Sequence, residues 1–256
     1  MIGPAEIELI GVDVSHEDDP EIVLIRDVHW RIETGEWWVV SGGPASGKSS
    51  LLSTVAGLIP AVGGELRIFG REVIEATEQE QIDWRRHIGF VFGGDGRLFG
   101  NLSVLENVLL PLQYHGDLSP SEALERAEEL LELAGLPAYA DLPPSRLGAA
   151  LQRRVGLVRA LSVPNRVLFV DNPLAGLAPS DARWWLEFLS DLTARRAAQG
   201  EPLCIVASSF DFDGWLGKAS RFAVIAERGF HRLDDPEAIA AYRDGNQFRD
   251  QVRSSV

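Results

Sequence analysis

The chain has 256 residues, a length that suits one large α/β domain or a core carrying a smaller inserted lobe. Its 38 acidic against 24 basic residues give a formal net charge of −14, which argues against nucleic-acid binding and against direct adsorption to an anionic membrane, since both need clustered Lys and Arg. The one cysteine, Cys204, excludes an internal disulfide and reads in "LCIVA" as a buried small hydrophobe in a reducing compartment.

Along the chain, "EIELIGVDV" alternates as a strand does, and "VHWRIETGEWWVV" predicts a strand, a turn at Gly35 and a second, buried strand ending at Val40. A helix is expected to start within the glycine-rich loop that follows and to run through "KSSLLSTVAGL". "GGELRIFG" is a strand bounded by glycines, and "IGFVF" (88–92) is another short one. From about 95 to 160 the pattern turns wholly helical. Ser119-Pro120-Ser121-Glu122 there is a capping box with proline at the first helical position, and the helix it opens places Leu124, Ala127, Leu130, Leu131 and Ala134 on one face before stopping at Gly135. "RVLFVD" (166–171) and "LCIVAS" (203–208) are apolar runs of the kind found in central parallel strands, and "DPEAIAAYRDGNQFRDQVRSSV" reads as a capped helix with a frayed end. Strand and helix alternate as in an α/β fold with a largely parallel sheet. The expected division is a core of 1–94 and 160–256 with 95–159 as a helical insertion.

The loop itself, Gly42-Gly43-Pro44-Ala45-Ser46-Gly47-Lys48-Ser49, has the G-x-x-x-x-G-K-[ST] pattern between a strand and a helix. Successive backbone N–H groups and the helix N-terminus can surround phosphates, so the pattern points to ATP. Lys48 would reach the β- and γ-phosphates, Ser49 would place its hydroxyl on Mg²⁺, and Ser50 continues the same turn. Only Lys48 and Lys218 are lysines in a chain whose other cations are arginine, so Lys48 stands where a compact ammonium serves better than a planar guanidinium. Asp171 closes the apolar run "VLFVDNP", a position from which a carboxylate can hold Mg²⁺ through water. No apolar run is long enough to span a membrane, and "MIGPAEIELI" lacks the basic and apolar regions of a signal peptide, so a cytoplasmic protein is expected.

These motifs, in this order, resemble the ATP-binding-cassette (ABC) family of transporter ATPases over nearly the whole chain. "VLIRDVHWRIETGEWWVVSGGPASGKSSLLSTVAGLIPAVGGELRIFG" is similar to the family's start, "RRHIGFVFGGDGRLFGNLSVLENVLLPL" to its Q-loop region, "LGAALQRRVGLVRAL" to its signature helix, and "VLFVDNPLAGLAP" to its second nucleotide motif and D-loop. The resemblance implies a P-loop NTPase fold: a RecA-like core with an N-terminal antiparallel β-subdomain and an inserted α-helical subdomain. "LFGNLSVLENVLLPLQYH" and the Arg153–Arg154 pair further resemble ATPases of the phospholipid-trafficking (Mce/Mla-type) branch. His16 stands near the place where the family stacks an aromatic ring on adenine; it is equally well a solvated loop histidine before "EDDPE".

Against the family pattern the catalytic positions differ. The Glu that polarises the attacking water falls on Asn172, the Q-loop Gln on Gly93, the switch His on Ser209 or Phe210, and the D-loop Asp on Ala178. The signature Leu-Ser-Gly-Gly-Gln reads Leu147-Gly148-Ala149-Ala150-Leu151. Groups that hold ground-state ATP are kept while those acting on the water and the transition state are changed, so binding with weak or absent hydrolysis is expected. The resemblance implies a homodimer or a heterodimer with another cassette. It also implies permease subunits docked beside Gly93–Gly100, which would hold the chain peripherally on the inner face of the cell membrane. An active ATPase and an ATP-sensing scaffold without transport remain as alternatives.

Overall fold

The computed structural model describes residues 5–115 and 118–253. The first strands are β1 (Ala5–Ser15), β2 (Val23–Glu33) and β3 (Trp37–Gly42), followed by helix α1 (Lys48–Val55), the hairpin β4 (Glu65–Ile68) and β5 (Arg71–Glu72), α2 (Glu78–Arg85) and β6 (Ile88–Val91). Three helices then come in succession, α3 (Val104–His115), α4 (Pro120–Leu133) and α5 (Ala149–Leu161), with 3-10 turns at Pro137–Tyr139 and Pro144–Arg146. The remainder is β7 (Val167–Val170), α6 (Pro179–Ala198), β8 (Cys204–Ser209), β9 (Arg221–Ala226), β10 (Gly229–Leu233) and α7 (Pro236–Arg253).

The strands form a six-stranded sheet in the order β10-β9-β3-β8-β7-β6 and a four-stranded antiparallel sheet in the order β2-β1-β4-β5. In the larger sheet β3 runs parallel to β8 and β9, and β7 parallel to β8 and β6. Both faces of its central strands are buried, which is why they read as unbroken apolar runs. Val39, Leu168 and Ile205 join one cluster with the helices α3 to α6. Their immediate neighbours Val40, Phe169 and Val206 join a second with α1 and the antiparallel sheet. Successive side chains point to opposite faces, so one strand serves two cores.

The alternation in β1 is not a single run. Ile7 and Leu9 are buried, then Val12 and Val14, and the pairing moves from Leu9↔Trp30 to Val12↔Val28. One extra residue on β1 makes a bulge, taken up at Gly11 with φ +64°. Gly64 passes so close that a Cβ there would collide with the Gly11 carbonyl, so this crossing of backbones requires glycine.

Several expected boundaries shift. β3 continues past Val40 to Gly42, because it pairs with β9 as far as Ile225. α1 stops at Val55 rather than running through Leu58. Gly57, at φ +68°, donates its N–H to Thr54 O and Leu58 donates to Ser53 O, the two bonds of a Schellman ending. In α4 the capping box at Ser119 forms with both reciprocal bonds, but Ala123 takes the buried position while Leu124 is exposed. The helical stretch extends beyond residue 159, since α5 runs to Leu161 with Ala160 and Leu161 buried. The C-terminal helix has its cap, with Ala238 N–H donating to Asp235 Oδ1; of the frayed end expected there, residues 254–256 lie outside the described residues. No described helix is long and apolar enough to cross a membrane.

Cys204 lies fully buried at the start of β8, where its Sγ donates to Glu33 O at 2.9 Å and accepts from Gly35 N–H at 3.2 Å. Burial pushes the thiol up from its ordinary 9.0 to about 12. Above pH 9 the unfolded chain therefore releases a proton that the native state keeps, and stability falls as pH rises through that window. Iodoacetamide at pH 8.5 is expected to leave the native thiol unlabelled and to label it fully in denaturant; rapid native labelling, followed by intact mass, would refute the burial.

Candidate functional site

The register of the six-stranded sheet places four strand ends along one edge. Ser41 lies opposite Ser209, Val170 opposite Ala207, and Val91 opposite Val170. The loops beginning at Gly42, Phe210, Asp171 and Phe92 therefore emerge side by side, as ligand-binding loops do beyond the carboxyl ends of parallel strands.

The first of these loops carries two left-handed residues, Ala45 at φ +56° and Gly47 at φ +92°. A Cβ on Gly47 would also stand 3.1 Å from Leu24 Cβ, so both conformation and space call for glycine. α1 then begins with no side-chain cap and no acid in its first turn, leaving its N-terminal N–H groups free for an anion. Lys48 is buried, and its Nζ donates to Gly42 O at 2.6 Å and Gly43 O at 2.7 Å. It lies 4.7 Å over the Phe210 ring. Burial lowers the ammonium's pKa and the nearby Asp171 carboxylate opposes that shift. Among the described residues no carboxylate pairs with it directly, so the ammonium is held in place by carbonyls, with Asp171 acting on its charge only from a distance.

Across the cavity, Ser208 Oγ donates to Asp171 Oδ1 at 2.6 Å and accepts from Asn172 N–H at 2.9 Å. This fixes the carboxylate and leaves Oδ2 without a hydrogen bond among the described residues. Gly93 abuts the same carboxylate: a Cβ there would be 3.3 Å from Oδ2. Asn172 sits at φ +48°, a conformation that asparagine tolerates better than most residues.

The result is one cavity of about 590 Å³, lined by His16, Pro44, Ala45, Ser46, Gly47, Lys48, Ser49, Ser50, Gly93, Asp171 and Asn172. Gly42 and Gly43 do not line it; their carbonyls face the Lys48 ammonium instead. His16 is exposed, with Nδ1 accepting from Asp18 N–H at 3.2 Å. Among the described residues no three His, Cys, Asp or Glu side chains cluster to hold a metal. The donor set at Ser49 and Asp171 fits Mg²⁺, which commonly takes one or two carboxylates and completes its shell with phosphate oxygens and water.

At the switch position the structure separates the two candidates. Ser209 turns away from the cavity, and its Oγ accepts from the buried Trp215 Nε1 at 3.1 Å. Phe210 lines the cavity in its place. The reason is the two-residue period of β8: Ser208 faces Asp171, so Ser209 must face the other core. Ser208 and Arg153 are site residues that sequence reasoning missed. That same period, counted back from residue 210, was the signal available for Ser208. The segment Leu147–Leu151, expected from the sequence to be the signature, does not line this chain's own cavity.

The family model for ABC transporters matches residues 25–175. The trimethylamine N-oxide transport system ATP-binding protein of Ruegeria pomeroyi is 31% identical over 222 residues, covering 86% of this chain and 63% of that protein. The methionine import ATP-binding protein of Rhizobium johnstonii is 36% identical over 218 residues, 80% of this chain and 58% of its own length. This chain thus spans about three-fifths of those relatives. The dimeric structure of the bacterial cassette MJ0796 superposes with a TM-score of 0.77 at 27% identity, covering 89% of this chain and 98% of that one. A post-hydrolysis dimer of MJ0796, bound to ADP and phosphate, superposes equally well.

Proposed function

Because the chain belongs to the ABC transporter ATP-binding family, we propose that it is the nucleotide-binding subunit of a membrane transporter and holds ATP·Mg²⁺ with weak or absent turnover. The observation that carries this reading is the composition of the cavity. The loop side is complete, with Lys48, Ser49 and a free helix N-terminus, and Asp171 is positioned opposite. The wall around Asp171 offers Asn172, Gly93 and Phe210, none of which can accept a proton from water. ATP affinity and ATP turnover, measured side by side with and without Mg²⁺ on the purified chain, test it. Tight binding with background turnover supports the reading, and robust turnover would sink its second half.

In this proposal the chain dimerises face to face, with itself or with a second cassette, and His16 lies against adenine. Permease subunits dock in the groove beside Gly93–Gly100, whose walls include Phe90, Phe92, Phe99, Leu110 and Pro111. The cargo we propose is lipid, on the strength of "LFGNLSVLENVLLPLQYH" and the Arg153–Arg154 pair. The first stretch contains α3, whose buried Asn107 holds the preceding loop by accepting from Phe99 N–H at 2.9 Å and donating to Ser103 O at 2.9 Å. A tagged chain expressed with its neighbouring reading frames is expected to co-purify with a multi-span membrane protein, and Phe99→Asp to abolish that while leaving ATP affinity unchanged. Recovery of the chain alone from detergent extracts would favour a scaffold without transport.

A further inference from the structure

The cavity holds a second cation besides Lys48. Arg153 projects from α5, and its Nε donates to Gly94 O at 3.1 Å while Nη1 donates to Pro173 O at 3.2 Å and Ala175 O at 2.5 Å. Those carbonyls belong to the two loops that flank Asp171, so the planar fork is fixed against the wall facing the phosphate loop. Nη2 has no acceptor among the described residues, and no carboxylate lies within ion-pair distance. Its neighbour differs on both counts: Arg154 is 2.7 Å from Asp181 and lies over the Trp184 ring at 4.0 Å.

Burial lowers the Arg153 pKa, yet a guanidinium stays charged in proteins. An oriented, partly desolvated cation without a counter-ion is costly unless an anion joins it. Of the residues that line the cavity with it, Gly93, Asn172, Ala175 and Phe210 carry no charge, and Asp171, which makes no ion pair with Arg153, is the one carboxylate. With nucleotide bound, Lys48 and Ser49 would hold the phosphates against the loop, and Asp171 would hold the metal from across the cavity. The phosphate reaching the Asp171 wall would then be the terminal one.

We propose that Arg153 supplies, from within the same chain, the positive charge that contacts the terminal phosphate, so that the site distinguishes ATP from ADP by its own guanidinium. The proposal rests on the nucleotide reading of the cavity given above. It is tested by titrating wild type, Arg153→Gln, Arg153→Lys and Lys48→Ala with fluorescent ATP and ADP analogues in Mg²⁺, with a thermal melt of each protein alone. Wild type is expected to prefer ATP; Arg153→Gln loses roughly tenfold in ATP affinity while its ADP affinity stays within about twofold. Arg153→Lys keeps part of the preference, and if the Gln variant fails to fold the Lys variant decides by the same comparison. Equal losses for both nucleotides, or no loss for either, overturn the proposal. A folded wild type that binds neither nucleotide overturns the reading of the cavity itself.

Discussion

Lys48→Ala is expected to weaken ATP binding by about 100-fold, roughly 3 kcal/mol for removing a buried charged donor from a phosphate site. The ammonium is already in place before any nucleotide arrives, held at 2.6 and 2.7 Å by the carbonyls of Gly42 and Gly43. Little side-chain entropy is then lost on binding, and the loss on truncation is correspondingly large. The same two carbonyls are left without their donor in the variant, so a modest drop in melting temperature should accompany the loss of affinity. Isothermal titration with a non-hydrolysable ATP analogue measures the first and a thermal melt the second. An affinity within threefold of wild type would show that the backbone N–H groups suffice and that the lysine is incidental.

The second large effect is on turnover. Wild-type hydrolysis is expected to be indistinguishable from that of Lys48→Ala, because a positioned base is worth about 10² to 10⁴ in rate and Asn172 cannot act as one. Placing a carboxylate at residue 172 alone faces two obstacles visible in the site. Asn172 is held at φ +48°, where glutamate costs about 1 kcal/mol more. Phe210, one of the two residues expected at the switch position, lines the cavity with its ring beside Lys48 and carries no imidazole. The combined Asn172→Glu, Phe210→His and Gly93→Gln variant is therefore expected to raise phosphate release by at least about 100-fold, and Asn172→Glu by much less. A single Asn172→Glu change that gave full activity would place the whole defect at the base. A wild type already active would show that another group activates water.

Most of the architecture was legible because its causes are local. The phosphate loop, the capping box at Ser119 and the apolar runs of β7 and β8 each announce themselves within a dozen residues. The elements that went unread include α2, α6, the two-residue β5, β9 and β10, and the reasons differ. β10 is a half-exposed edge strand. α2 is short and strongly polar, with only Trp84 buried. α6 spans 20 residues and buries only Trp185, Phe188 and Leu189 fully, with Trp184, Leu186 and Leu192 half-buried beside them, so its apolar stripe is blurred by interleaved polar and charged residues. In the site, residues on the loop were found from spacing alone. Ser208 enters it through strand phase, a two-residue step back from Phe210, and Arg153 through packing of α5 against the 93–97 and 171–176 segments, which no local window contains. Of the two residues named for the switch position, Ser209 turns to Trp215 and Phe210 lines the cavity, because a one-residue step along a strand changes which side a side chain enters.

The position of β3 in the sheet bears on how the protein comes to be made. Its two neighbours, β8 and β9, begin at Cys204 and Arg221, more than 160 residues later in the chain. A ribosome that has produced the entire phosphate loop has made neither strand that will hold it. Long-range pairing of this kind slows folding, since much chain must be brought back before any contact rewards it. The loop is thus translated early and completed late, and the first ATP to bind reports that both halves of the core have met.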